Sequence, residues 1–152
     1  MEKYLRLLNP KTTNFEAIPS GGYGALSTAD VCVAVSYAKL TKLQEYLFNL
    51  CALSDNSLEQ IKVTTKLIQI ELQTNEYAEH SEDVEISIFI ALVELSKVPG
   101  SYKPSVRNRA IIGGVSKDKV QRKLNLLISK FREIFEGELV NVSNKIEYQI
   151  NK

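Results

Sequence analysis

Apolar residues recur at intervals of three and four along most of this chain, and almost nowhere at intervals of two. Val31, Ala34, Val35 and Ala38 share one helical face. Leu40, Leu43, Leu47, Leu50 and Cys51 form a second pattern, which either continues that helix or follows a bend near Leu40-Thr41. Leu58, Ile61, Thr64, Ile68 and Leu72 make a third, and Val84, Ile88, Ala91, Leu92 and Leu95 a fourth. A helix repeats its buried stripe about every 3.6 residues and a strand every second residue, so spacing separates the two. Only Glu85–Ile90 alternates in twos, and the helical spacing that overlaps it is the longer pattern. The expected fold is all-α, a small multi-helix bundle.

Punctuation agrees with the periods. Ser27 stands as N-cap with Asp30 in the first turn, Ser57 with Gln60 resembles a capping box, and Ser81 precedes the acidic turn Glu82, Asp83 and Glu85, which suits a helix N-terminus. Val98-Pro99-Gly100-Ser101-Tyr102-Lys103-Pro104 is a stop. Ser105 caps a short helix over Val106–Ile112, which Gly113-Gly114 ends, and Ser116 opens a long one with Val120, Leu124, Leu127, Ile128, Phe131 and Phe135 inward. Gly137 is expected to end that helix, leaving a last piece from about Leu139 with Val142, Ile146 and Ile150. Residues 1–25, with Asn9-Pro10 and Pro19-Ser20-Gly21-Gly22, are expected to be an arm or loop, and residues 26–152 a single helical domain.

At 152 residues one domain is the default, since a domain holds roughly 100–200. Apolar residues make up 44%, enough for a core without disulfide or metal. Trp is absent, so aliphatic residues must fill that core. No apolar run reaches the roughly 18 residues of a membrane span, and Met1-Glu2-Lys3-Tyr4-Leu5-Arg6 does not begin a secretory signal. Cys32 and Cys51 lie among apolar neighbours and are expected to be reduced core thiols of a cytosolic protein.

The net charge of +1 conceals a strong asymmetry. Between residues 103 and 132 stand Lys103, Arg107, Arg109, Lys117, Lys119, Arg122, Lys123, Lys130 and Arg132 against the single acid Asp118, a local charge of +8. Residues 1–102 carry −5 and residues 133–152 carry −2. A basic block in an acidic chain suggests a surface for polyanions.

That block coincides with the chemistry of a helix-turn-helix at about 106–131. Ala110 is small where a second helix would cross the first, Gly114 tolerates positive φ at a tight turn, Val115 can plug the turn, and Ser116 can cap the next helix. Val120 and Leu124 would anchor that helix inward, which leaves Lys117, Gln121, Arg122 and Asn125 outward. Arg can pair with guanine and Gln or Asn with adenine in a major groove, and the start of a recognition helix meets base edges. Backbone N–H groups near Ser116, with Lys103, Arg107, Arg109 and Lys119, are candidates for phosphate contacts. Arg109 and Lys123 stand where a helix-turn-helix more often carries apolar residues. The expected partner is double-stranded DNA and the expected role a DNA-binding transcription regulator. The alternative is a helical protein-interaction module, an accessory factor without nucleic-acid binding.

Other candidate sites carry less. Gly21-Gly22-Tyr23-Gly24 lacks the Gly-Lys-Ser/Thr of a phosphate-binding loop, and His80, the one histidine, has no Cys or His partners for a metal. No acid, base and nucleophile set is evident, so no catalytic residue, cofactor or metal is expected. The seven tyrosines are scattered outside the basic run, unlike a stacking platform for single strands.

Three stretches resemble the lambda-type Q late-gene antitermination proteins of phages. Asn9-Pro10-Lys11 followed by Leu26-Ser27-Thr28-Ala29-Asp30-Val31 is similar to that family's Ser-Pro-Lys arm and Leu-Ser-x-x-Asp-Val helix start. Leu53-Ser54-Asp55-Asn56-Ser57 falls at a similar distance, and Asn108-Arg109-Ala110 through Glu133 resembles the family's C-terminal helix-turn-helix. The family's four-cysteine zinc-binding insertion has no counterpart; the Val98–Ser105 turn or the Gly113-Gly114 turn stands in its place. The resemblance implies a phage transcription antitermination factor in the cytoplasm of a bacterial host. Such a factor binds promoter-proximal DNA, engages host RNA polymerase and sigma factor, and allows terminator read-through. The basic turn would then meet DNA, and the acidic N-terminal helices would be candidates for polymerase contacts.

Overall fold

A computed structural model describes residues 27–52, 57–74 and 82–152, and among these it is all-α. The helices are α1 (Thr28–Tyr37), α2 (Lys42–Ala52), α3 (Leu58–Thr74), α4 (Glu82–Ser96) and α5 (Val106–Gly113). The last, α6, starts at Lys117–Lys119, passes through a π-helical turn at Val120–Leu124 and continues over Asn125–Ile150. The arm over 1–25, His80 and the Ser81 cap lie outside the described residues. None of the described helices is long and apolar enough to cross a membrane.

The span expected to form one domain groups into two compact units, Met1–Ser54 with Leu139–Lys152, and Asp55–Glu138. In the first, Ser27 and Asp30 close a capping box: the Ser27 N–H donates to Asp30 Oδ2 at 2.9 Å and the Asp30 N–H to Ser27 Oγ at 3.2 Å. The Ser27 hydroxyl, donating to Asp30 Oδ2 at 2.7 Å, and then the Ser27 N–H hold the Asp30 carboxyl below its ordinary pKa. Val31, Ala34 and Ala38 then pack with Phe48, Val142 and Ile146. The chain does bend between the two apolar patterns, because a second capping box, Thr41 with Gln44, starts α2. Lys145 ties this unit together, its Nζ donating to the Lys39 carbonyl at 3.2 Å and to Gln44 Oε1 at 2.8 Å.

In the second unit Ser57 and Gln60 exchange the bonds of a capping box and open α3, whose inner face is Ile61, Thr65, Ile68 and Leu72. Helix α3 packs against α4, α4 against α5, and α5 against the start of α6. Helix α4 departs from the expected single stripe. Every residue from Ser87 to Glu94 is buried, so it is the centre of the unit and has no solvent face over that stretch.

Two further expectations are corrected. Gly137 does not end a helix: α6 runs through it to Ile150, since Gly costs a helix only about 1 kcal/mol and the buried stripe of Phe135, Val142 and Ile146 outweighs that. Cys32 is exposed, because it lies beside the buried Val31 on another side of α1, whereas Cys51 is half-buried and burial pushes its thiol up to about 11.

Candidate nucleic-acid interface

The elbow is built locally. Ser105 Oγ accepts the Asn108 N–H at 3.1 Å and opens α5, while the Asn108 side chain donates to the Lys103 carbonyl at 2.8 Å and holds that residue at the helix start. Ala110 is buried. At Gly113 an added Cβ would lie 3.0 Å from Ile90 Cδ1 and 3.1 Å from Ile86 Cγ2, so a bare backbone is what lets α5 approach α4 closely. Gly114 serves a different need: its φ is +64°, and its N–H bonds Ile111 O at 3.3 Å while the Val115 N–H bonds Ala110 O at 3.0 Å. This is the Schellman closure that glycine favours. Ser116 Oγ then accepts the Lys119 N–H at 3.2 Å, and α6 begins with Val120 and Leu124 fully buried.

Inside the elbow sits a charged cluster centred on Glu94, whose side chain has no exposed surface. Arg109 grips it with two bonds, Nε to Oε1 at 2.8 Å and Nη2 to Oε2 at 3.0 Å. Tyr102 donates its hydroxyl to the same carboxylate at 3.2 Å, and Arg132 Nη1 reaches it at 3.4 Å while Nη2 bonds Glu136 at 2.7 Å. The bond to Glu94 holds the Arg109 guanidinium above its ordinary pKa against the opposing effect of burial. Burial, reinforced by the charge of Glu94, pushes Tyr102 up to about 12. A carboxylate taken fully out of water needs this density of donors.

Three expected contact residues are therefore reassigned. Arg109 cannot reach a phosphate, because its guanidinium is bound to Glu94 and, through Nη1, to Asn125 Oδ1 at 2.9 Å. Asn125 is half-buried in that bond and not outward. Lys119 is half-buried and paired with Asp83 at 2.6 Å, which also holds its pKa above the ordinary value. The displacement of Asn125 has a backbone cause. In the π turn the Asn125 N–H donates to Val120 O, five residues back. The wider turn shifts Asn125, while Leu124 is buried four residues after Val120, as the spacing expects. Lys123 is exposed, which removes its apparent misfit.

What remains outside is cationic. Lys103, Arg107, Lys117, Gln121 and Arg122 are exposed, as are Lys123 and Leu126. Among the described residues the first five show no hydrogen bond or ion pair from their side chains. Ser116 is exposed, with its hydroxyl used in the cap. Sequence reasoning missed Glu94, Tyr102, Asp83 and Leu126. A signal for Glu94 existed: a single carboxylate inside the run Ile86–Leu95 requires a buried cation, and Arg109 stood where an apolar residue was expected. Compared with known proteins, the chain has no significant match to a family model, a curated protein or a solved structure.

Proposed function

We propose that the chain is a double-stranded DNA-binding transcription regulator, with α5, the Gly114 turn and the start of α6 acting as its helix-turn-helix. The observation that carries this is the division of the basic block. Arg109, Lys119 and Arg132 are tied to carboxylates, whereas Lys103, Arg107, Lys117 and Arg122 are exposed around the elbow with no protein partner among the described residues. Lys103 and Arg107 suit phosphates; Gln121 and Arg122 have the donors and acceptors that base edges require.

The test is fluorescence anisotropy with a labelled duplex at rising salt. Three phosphate contacts, by Lys103, Arg107 and Lys117, give a slope of log K on log salt of about −2.7, because each neutralised phosphate releases condensed counterions. Absence of affinity, or affinity indifferent to salt, overturns the proposal.

The narrower role of phage antiterminator acting with RNA polymerase and sigma factor rests on the resemblance of Asn9–Lys11 with Leu26–Val31, of Leu53–Ser57 and of Asn108–Glu133. An in vitro read-through assay past a terminator tests it. A second reading, a protein-interaction module, draws on a different surface: Val63, Leu67 and Ile70 lie at helical spacing on α3 and are 60%, 39% and 60% exposed. Neutralising Lys117 and Arg122 would leave partner binding unchanged in that case.

A further inference from the structure

Leu126 is 81% exposed, more than any other large hydrophobic side chain among the described residues. It sits on the cationic side of α6. Arg122 precedes it by four residues and Lys123 by three, and Lys130 follows by four, all exposed. On a helix these spacings make neighbours on one surface. Arg122 and Leu126, four apart, keep the same outward side, while Asn125 beside Leu126 is turned to Arg109. The residue in the outward place is therefore an apolar one.

Its surroundings select its partner. The nearest exposed large hydrophobics in sequence are Ile111 and Val140, so Leu126 belongs to no apolar run of α6 that would seat a protein helix. A leucine flanked by Arg122 and Lys123 meets a surface that is anionic at its rim and apolar at one point within it. The major groove has that pattern, since thymine presents a C5-methyl group between two rows of phosphates. We infer that Leu126 is a specificity-determining residue that packs against a thymine methyl, while Arg122 on the same face pairs with a neighbouring base. This rests on the DNA-binding function proposed above and adds to it a sequence preference.

The experiment uses the full chain and a randomised duplex library to select a preferred site, then compares that duplex with versions in which deoxyuridine replaces thymine one position at a time. Deoxyuridine differs only in lacking the methyl. The wild type should lose about fourfold in affinity at one position, the value of one buried methyl group. Leu126→Ala should bind the two duplexes equally, with an unchanged salt slope and an unchanged helical circular dichroism spectrum. Asn125→Ala is the control, and should leave the thymine preference intact. Salt-dependent binding without a methyl effect at any position, or a methyl effect that survives Leu126→Ala, overturns the inference and spares the DNA-binding proposal. Failure to bind any duplex overturns both.

Discussion

The inner and outer sides of the elbow are made of the same residue types and differ in one respect, the presence of a buried carboxylate. On the inner side Glu94 gathers Arg109, Arg132, Tyr102 and, through Arg109, Asn125. On the outer side Lys103, Arg107, Lys117 and Arg122 are exposed and make no ion pair among the described residues, although the exposed Asp118 adjoins Lys117. A run of cations thus splits into struts and free charges according to what α4 places opposite each one. The inner set fixes where α5 and α6 sit in their unit, and the outer set is what that placement presents.

The largest way to break this contrast is to remove Glu94. Glu94→Ala leaves Arg109 buried without its counter-charge and should destabilise the protein by about 3–5 kcal/mol in urea unfolding. Glu94→Leu combined with Arg109→Leu should recover most of that, because an apolar pair of similar volume needs no donors. A single substitution that cost under about 1 kcal/mol would mean that packing alone holds the elbow, whatever the charges do.

The two glycines come next. Gly114→Ala forces a side chain into the left-handed region and should cost about 1–2 kcal/mol. Gly113→Ala should cost less, since alanine's preference for a helix offsets part of the shift its Cβ imposes on Ile90 Cδ1 and Ile86 Cγ2, 3.0 and 3.1 Å away. Thermal unfolding of the two variants would show the ordering, and the reverse ordering would put the constraint in the contact between α4 and α5 and not in the turn.

Tyr102 allows a pH test confined to the inner side. Its pKa rises from about 10 in an unfolded chain to about 12 in the fold. A raised pKa means the neutral hydroxyl contributes stability fully below pH 10, and that contribution is lost as pH climbs toward 12. Ultraviolet titration should show a late ionisation from Tyr102. Tyr102→Phe should remove that late step and cost about 0.5–1.5 kcal/mol at neutral pH. A late step that persists in Tyr102→Phe would assign it to another tyrosine.

The sequence disclosed what is decided locally. Ser27 with Asp30, Ser57 with Gln60, Ser105 and Ser116 each form their caps as expected, because a cap depends on residues three apart. The glycine elbow was legible for the same reason. Contacts over distance were not. Glu94 and Arg109 are 15 residues apart, and nothing in either neighbourhood names the other. The π turn was hidden because Val120 and Leu124, four apart, fit a regular helix equally well; the Asn125 N–H bond to Val120 O and the Arg109–Asn125 bond reveal it. Gly137 misled in the opposite direction, a local stop signal overruled by the core residues Val142 and Ile146.

The smallest expected effects on stability are on the outer side, and they sharpen the contrast most. Lys103→Ala, Arg107→Ala, Lys117→Ala and Arg122→Ala each remove an exposed side chain with no protein partner and should alter stability by no more than about 0.5 kcal/mol. Each that meets a phosphate should also lower the salt slope of duplex binding by about 1. Lys119→Ala is the informative exception, since its ammonium is already neutralised by Asp83. It should leave the salt slope where it was, although it removes the same charge from the same helix turn as Lys117→Ala. If Lys119→Ala flattened the slope as much as Lys117→Ala, then Asp83 would release its lysine to the polyanion, and the carboxylates of α4 would no longer decide which cations are free.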